Sequence, residues 1–187
     1  MSDVIRWKPS PKTRKTLLVI HIAAAGTWLG FDLVLGVLTT TALTADAVPA
    51  ASAAVSIAAI TTWPLITAGL VTLTTGILLG IGSKYGLVRY WWVLVKLVLN
   101  IVLTALVPIL LLSGVTVLQQ NGLAALEAGS SPVVPSTALF PPIVSSAAVA
   151  FAMTLSVFKP WGRIRLTLKM NRMASSGSRP RTEDALR

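Results

Sequence analysis

Apolar residues run along this chain in four long stretches, separated by short polar intervals. Each stretch is too apolar and too long for a helix of a soluble protein. About 20 helical residues at ~1.5 Å rise cross the ~30 Å hydrocarbon core of a bilayer. The pattern therefore predicts membrane-spanning helices at 16–43, 56–81, 90–115 and 139–158. The fold class is all-α, a four-helix transmembrane bundle. It occupies 16–158 as one domain, between an N-terminal segment 1–15 and a tail 159–187.

The intervals read as loops. Interval 44–55 carries one charge, Asp46. Interval 82–89 holds Lys84 and Arg89, and 116–138 holds Glu127. Within the last, VLQQNGLAALEA is a candidate for a short surface helix. Pro64 and Pro108 fall toward the outer parts of the second and third spans, where kinks are tolerable. Pro141 and Pro142 fall in the first turn of the fourth. Gly26/Gly30 and Gly76/Gly80 form small-x-x-x-small pairs that permit close helix approach. The first pair lies opposite His21 on its helix. It suits a neighbouring helix or a second protomer, so a homo- or hetero-oligomer stays open.

Composition sharpens this picture. Of 187 residues, 54% are hydrophobic and 12% charged, half the usual charged share of a soluble domain. Mean hydropathy is +0.77. The net charge of +10 is explained by where it sits. Five basic residues precede the first span, two lie between the second and third, and eight follow the fourth. None lies in 44–55 or 116–138. The positive-inside rule places both termini and the middle loop in the cytoplasm. Trp7, Tyr85, Tyr90, Trp91, Trp92 and Trp161 fall on the same side, as an interfacial aromatic belt does. Charge used as topology argues against a nucleic-acid partner. The first stretch is also about twice the ~7–15-residue core of a signal peptide. With no cysteine and a single histidine, disulfides are excluded and a zinc site lacks ligands.

Three ionisable residues fall at membrane depth: His21, Asp32 and Lys96. Such residues default to a functional reading, because an unused charge in a bilayer is costly. His21, Ala25, Trp28 and Asp32 share one helix face by their spacing. His21 and Lys96 both lie ~8–9 Å past their cytoplasmic boundaries at the helical rise. If the first and third spans touch, the two face each other, with Asn100 one turn beyond Lys96. Asp32 lies ~16 Å further along than His21. Plainer roles remain open for each: snorkelling for Lys96, hydrogen bonds to a neighbouring helix for His21 and Asp32, and packing for Trp28. In the tail, Arg165, Lys169 and Arg172 run beside Leu166, Met170 and Met173 at helical spacing. Stretch 162–173 is thus a candidate for lying on anionic inner-leaflet lipids. The composition of 174–187 reads as disordered.

His21, followed by Trp28 and Gly30, with Lys96-Leu97 after the aromatic start of the third span, resembles a loose group of small bacterial membrane proteins. The group includes CopD copper-resistance proteins and HemJ-type protoporphyrinogen oxidases. It also includes an uncharacterised family of predicted four-helix integral membrane proteins, to which this layout and size are most similar. The resemblance covers about a third of the chain. It implies a multi-pass protein of the bacterial plasma membrane. By resemblance to HemJ-type proteins, His21 is an axial-ligand candidate for haem and Lys96 a partner for a propionate or substrate carboxylate. Two features depart from the group. Leu94 stands where HemJ-type chains often carry a histidine, and Met153 is the only methionine in a span, too few ligands for copper. Three functions follow as expectations. One is a binding or assembly component with an intramembrane site of His21, Lys96, Asn100 and Trp28. The others are a haem- or porphyrin-handling oxidoreductase and a small proton-coupled transporter using Asp32, His21 and Lys96.

Overall fold

The computed structural model of the chain describes residues 9–83, 87, 90–158 and 162. The aromatic positions 7, 85 and 161, the loop cations Lys84 and Arg89, and all of stretch 162–173 except Gly162 lie outside them. The described chain is all-helical, without β-strands.

Helix α1 spans Pro11–Thr44. It begins five residues before the predicted span, because Ser10 and Pro11 make a good start. The Ser10 hydroxyl accepts from the Thr13 N–H at 3.2 Å, and Pro11 occupies the first turn, where its missing N–H is harmless. Lys12, Arg14 and Lys15 then favour helix as well.

Interval 44–55 is not a loop. Helix α2, Ala47–Thr61, starts almost at once. Its alanine-rich sequence is the best of helix formers, so the turn shrinks to Ala45 and Asp46. Helix α3, Trp63–Ile81, follows after a break at Thr62. The cause is Pro64, which offers no N–H to the preceding turn and crowds the carbonyl four residues back.

Helix α4 spans Trp91–Leu106. Around Pro108 the coil widens to a π-helical turn, Val107–Leu111, and then continues as α5, Leu112–Ala128. The candidate surface helix in 116–138 is thus the end of this long run. It stops at Gly129, whose φ of 63° is the left-handed C′ position. The Ser130 N–H then bonds the Ala125 carbonyl at 3.0 Å, as a Schellman cap requires. A 3-10 turn, Ser136–Leu139, leads into α6, Phe140–Phe158.

Helix α1 packs on α2, α3 and α6, α4 packs on α3 and α6, and α2 packs on α5. So α1 and α4 stand diagonally, with α3 and α6 between them. The first and third spans, α1 and α4, meet across a shared interior. Alanines at 50, 51, 53, 54 and 58 are buried on α2, which lets α5 come close.

Outward faces remain apolar. Val19, Ile22, Val37, Ile109, Phe151 and Val157 are all exposed. Lipid contact accounts for such surfaces, which a soluble monomer avoids. Among the described residues, four segments are long and apolar enough to cross a membrane: Pro11–Thr44, Ala47–Ile81, Trp91–Ile109 and Ser136–Phe158. These are the marks of a multi-pass membrane protein.

Candidate functional site

A cavity of about 370 Å³ lies among α1, α3, α4 and α6. On α1 its wall is Arg14, Leu18, His21, Ala25 and Trp28. Their alternating spacings of four and three keep them on one helical face. Thr72, Leu73 and Gly76 line it from α3, Lys96, Asn100 and Leu103 from α4, and Ala148, Met153 and Ser156 from α6. Of the sequence-predicted site residues, His21, Trp28, Lys96 and Asn100 therefore meet at one cavity. Asp32 does not line it.

His21 is held from α3. Its Nδ1 lies 3.1 Å from the Thr72 carbonyl oxygen and 3.0 Å from Thr75 Oγ1. A carbonyl only accepts, and the Thr75 hydroxyl donates to the Val71 carbonyl at 2.6 Å. The proton in both contacts is therefore on Nδ1. In the neutral ring this leaves the Nε2 lone pair available. The ring rests on Gly76, where a Cβ would stand 3.1 Å from His21 Cε1. Gly76 thus makes room for an imidazole.

Lys96 is half-buried at the cavity wall. Its Nζ donates to Ser156 Oγ at 2.9 Å and lies 4.7 Å from the centre of the Trp92 ring, within cation–π range. One turn along, Asn100 accepts from Thr104 Oγ1 at 3.2 Å through Oδ1.

Trp28 and Asp32 are joined by a residue that sequence reasoning missed, Ser145 of α6. Trp28 Nε1–H donates to Ser145 Oγ at 3.2 Å, and Ser145 donates to Asp32 Oδ2 at 2.6 Å. Asp32 is 1% exposed and Trp28 2%. Nothing in the sequence separates Ser145 from Ser146 beside it. Thr72 and Thr75 were also missed, although their i, i+3 spacing next to Gly76 puts two hydroxyl-bearing residues on one face.

The electrostatics are one-sided. Arg14 and Lys96 line the cavity, and among the described residues no acidic side chain does. The described residues hold no group of three or more metal-ligating His, Asp or Glu side chains.

Among the described residues, these features define an all-helical protein with four segments long and apolar enough to cross a membrane, and a largely apolar cavity that carries cations and one oriented histidine. The chain matches no known family model, no curated protein and no solved structure.

Proposed function

We propose that the chain is a binding component of the bacterial plasma membrane, a four-helix bundle with both termini in the cytoplasm, whose cavity holds an amphiphilic anion. One observation carries this reading: two cations, Arg14 and Lys96, line a cavity whose remaining described wall is mostly apolar. In so apolar a setting a cation favours an anionic partner, since charges attract more strongly where water is scarce. The apolar wall suits the rest of such a ligand. His21 Nε2 and Asn100 add polar contacts beside the head group. Octanoate and octyl phosphate, titrated by calorimetry against the protein in zwitterionic-lipid nanodiscs, should bind saturably. Lys96→Met should weaken them about tenfold, the equivalent of ~1.4 kcal/mol. Octanol binding as well as octanoate would overturn the proposal.

A second reading follows the resemblance to HemJ-type proteins and is favoured by His21. A histidine that ligates iron or zinc commonly donates its other ring N–H to a carbonyl, as Nδ1 does to Thr72. Haem bound there would be held by His21 at Nε2, with Lys96 as the partner of a propionate, and would supply redox chemistry. The chain's single histidine allows one imidazole ligand per protomer. An absorbance spectrum of the purified protein, with and without added haemin, tests this. A Soret band lost in His21→Ala supports haem, and its absence in both samples removes the reading.

A further inference from the structure

We infer that Trp28 closes the inner end of the cavity and sets the length of apolar chain the site accepts, and that Asp32, acting through Ser145, is the residue that positions it. This rests on the reading of the cavity as a site for an amphiphilic anion.

The cavity ends at one level on all four helices. Its last lining residues are Trp28 on α1, Thr72 on α3, Leu103 on α4 and Ala148 on α6. One turn beyond Trp28, Asp32 is buried and outside the lining. At that level the indole is buried and lies between α3 and α6. A Cβ at Gly69 of α3 would stand 3.3 Å from Trp28 Cη2, from Trp28 Cζ3 and from Thr104 Oγ1 of α4. The far side of the ring system therefore meets α3 at Gly69, where glycine leaves space for it, and Thr104 of α4 borders the same space. Its Nε1–H reaches α6 through Ser145. One side chain from α1 thus reaches both α3, at Gly69, and α6, at Ser145.

The orientation of the ring is over-determined. Ser145 Oγ accepts from the indole and donates to Asp32 Oδ2 at 2.6 Å. A buried indole N–H without an acceptor is penalised, so the ring keeps the orientation in which Ser145 is in reach. Asp32 holds the Ser145 hydroxyl hydrogen, which turns the oxygen lone pairs toward Trp28. This assigns a purpose to a carboxyl group that the cavity itself does not use.

The available length follows from the helix. His21 and Trp28 are seven residues apart, which is ~10.5 Å of axial rise. With a head group at the level of His21 and Lys96, an extended chain of roughly eight carbons fits, at ~1.3 Å of advance per ~1.5 Å bond.

The test is a series of n-alkyl carboxylates and n-alkyl phosphates, with chains of about six to about fourteen carbons. Each is titrated calorimetrically against the full-length protein in zwitterionic-lipid nanodiscs. For the wild type, affinity should rise to about eight carbons and fall about tenfold by about twelve. Trp28→Ala should move the optimum to longer chains while carboxylate and phosphate remain preferred over the alcohol. Trp28→Leu, a milder truncation, should move it in the same direction if the alanine variant does not fold. Asp32→Ala should flatten the length profile. Asp32→Asn, whose amide oxygen still accepts from Ser145, should restore it. A merely structural aspartate would lower stability without changing the profile. An unchanged optimum in both Trp28 variants, or an unchanged profile in Asp32→Ala, overturns the inference. If no anion of any length binds the wild type, the amphiphilic-anion reading itself fails and this inference with it. The stronger of the two series identifies the head group as carboxylate or phosphate.

Discussion

At the scale of residues, polar side chains on these helices are satisfied in two ways. Thr39, Thr40, Thr41 and Thr44 each donate to the carbonyl four residues back, a self-contained habit of hydroxyls in apolar helices. Ser145 is different, because its hydroxyl leaves its own helix for Asp32. Removing it should leave a buried carboxyl group without a donor, at a cost of about 1–3 kcal/mol. Ser145→Ala is therefore expected to lower the melting temperature of the detergent-purified protein distinctly. Thr75→Val should do so less, about 0.5–1.5 kcal/mol, since His21 Nδ1 keeps the Thr72 carbonyl. Equal losses in the two variants would contradict this ranking. His21, Asp32 and Lys96 were legible in the sequence because ionisable residues are rare in spans. Ser145, Thr72 and Thr75 were not, because hydroxyls are common there and most bond their own helix.

At the scale of elements, helix contacts depend on where side chains are missing. A Cβ at Gly122 of α5 would stand 3.0 Å from both the Ala51 carbonyl oxygen and Val55 Cγ2 of α2, while Gly114 has nothing within 4 Å. Gly122→Ala must therefore push the two helices apart, and overpacking of this kind costs about 1–3 kcal/mol. Gly114→Ala adds a better helix former in open space and should be neutral or stabilising by up to ~1 kcal/mol. Thermal melts of the two single variants in detergent should move in opposite directions, or the second not at all. A destabilised Gly114→Ala beside an unaffected Gly122→Ala would refute the packing of α2 on α5. The middles of the helices were legible in the sequence, and their outer ends were not. Falling hydropathy marks where a chain leaves lipid, and it does not mark where a helix stops.

At the scale of the whole molecule, helix lengths exceed the bilayer. Helix α1 has 34 residues, about 51 Å at the helical rise, against a ~30 Å hydrocarbon core. Its C-terminal end leads through Ala45 and Asp46 into α2, which packs on α1 and α5. The distribution of Lys and Arg predicts that the C-terminal end of α1 faces away from the cytoplasm. A reporter fused after Arg187 is expected to read cytoplasmic, and one inserted near Gly129 external. The opposite result at either position would overturn the four-span topology.

The sequence alone determined how many apolar segments there are, which residue types are helical, and which ionisable groups lie within the spans. These properties follow from composition and local propensity and need no partner. Tertiary structure decided who meets whom. It set α1 and α4 diagonally around a cavity, seated the His21 ring on Gly76, and tied Trp28 to Asp32 through Ser145. Between apolar helices in lipid there is no hydrophobic force to select a partner. Selection falls to close packing at small residues and to a few interhelical hydrogen bonds, and both depend on three-dimensional fit that spacing along one chain does not reveal.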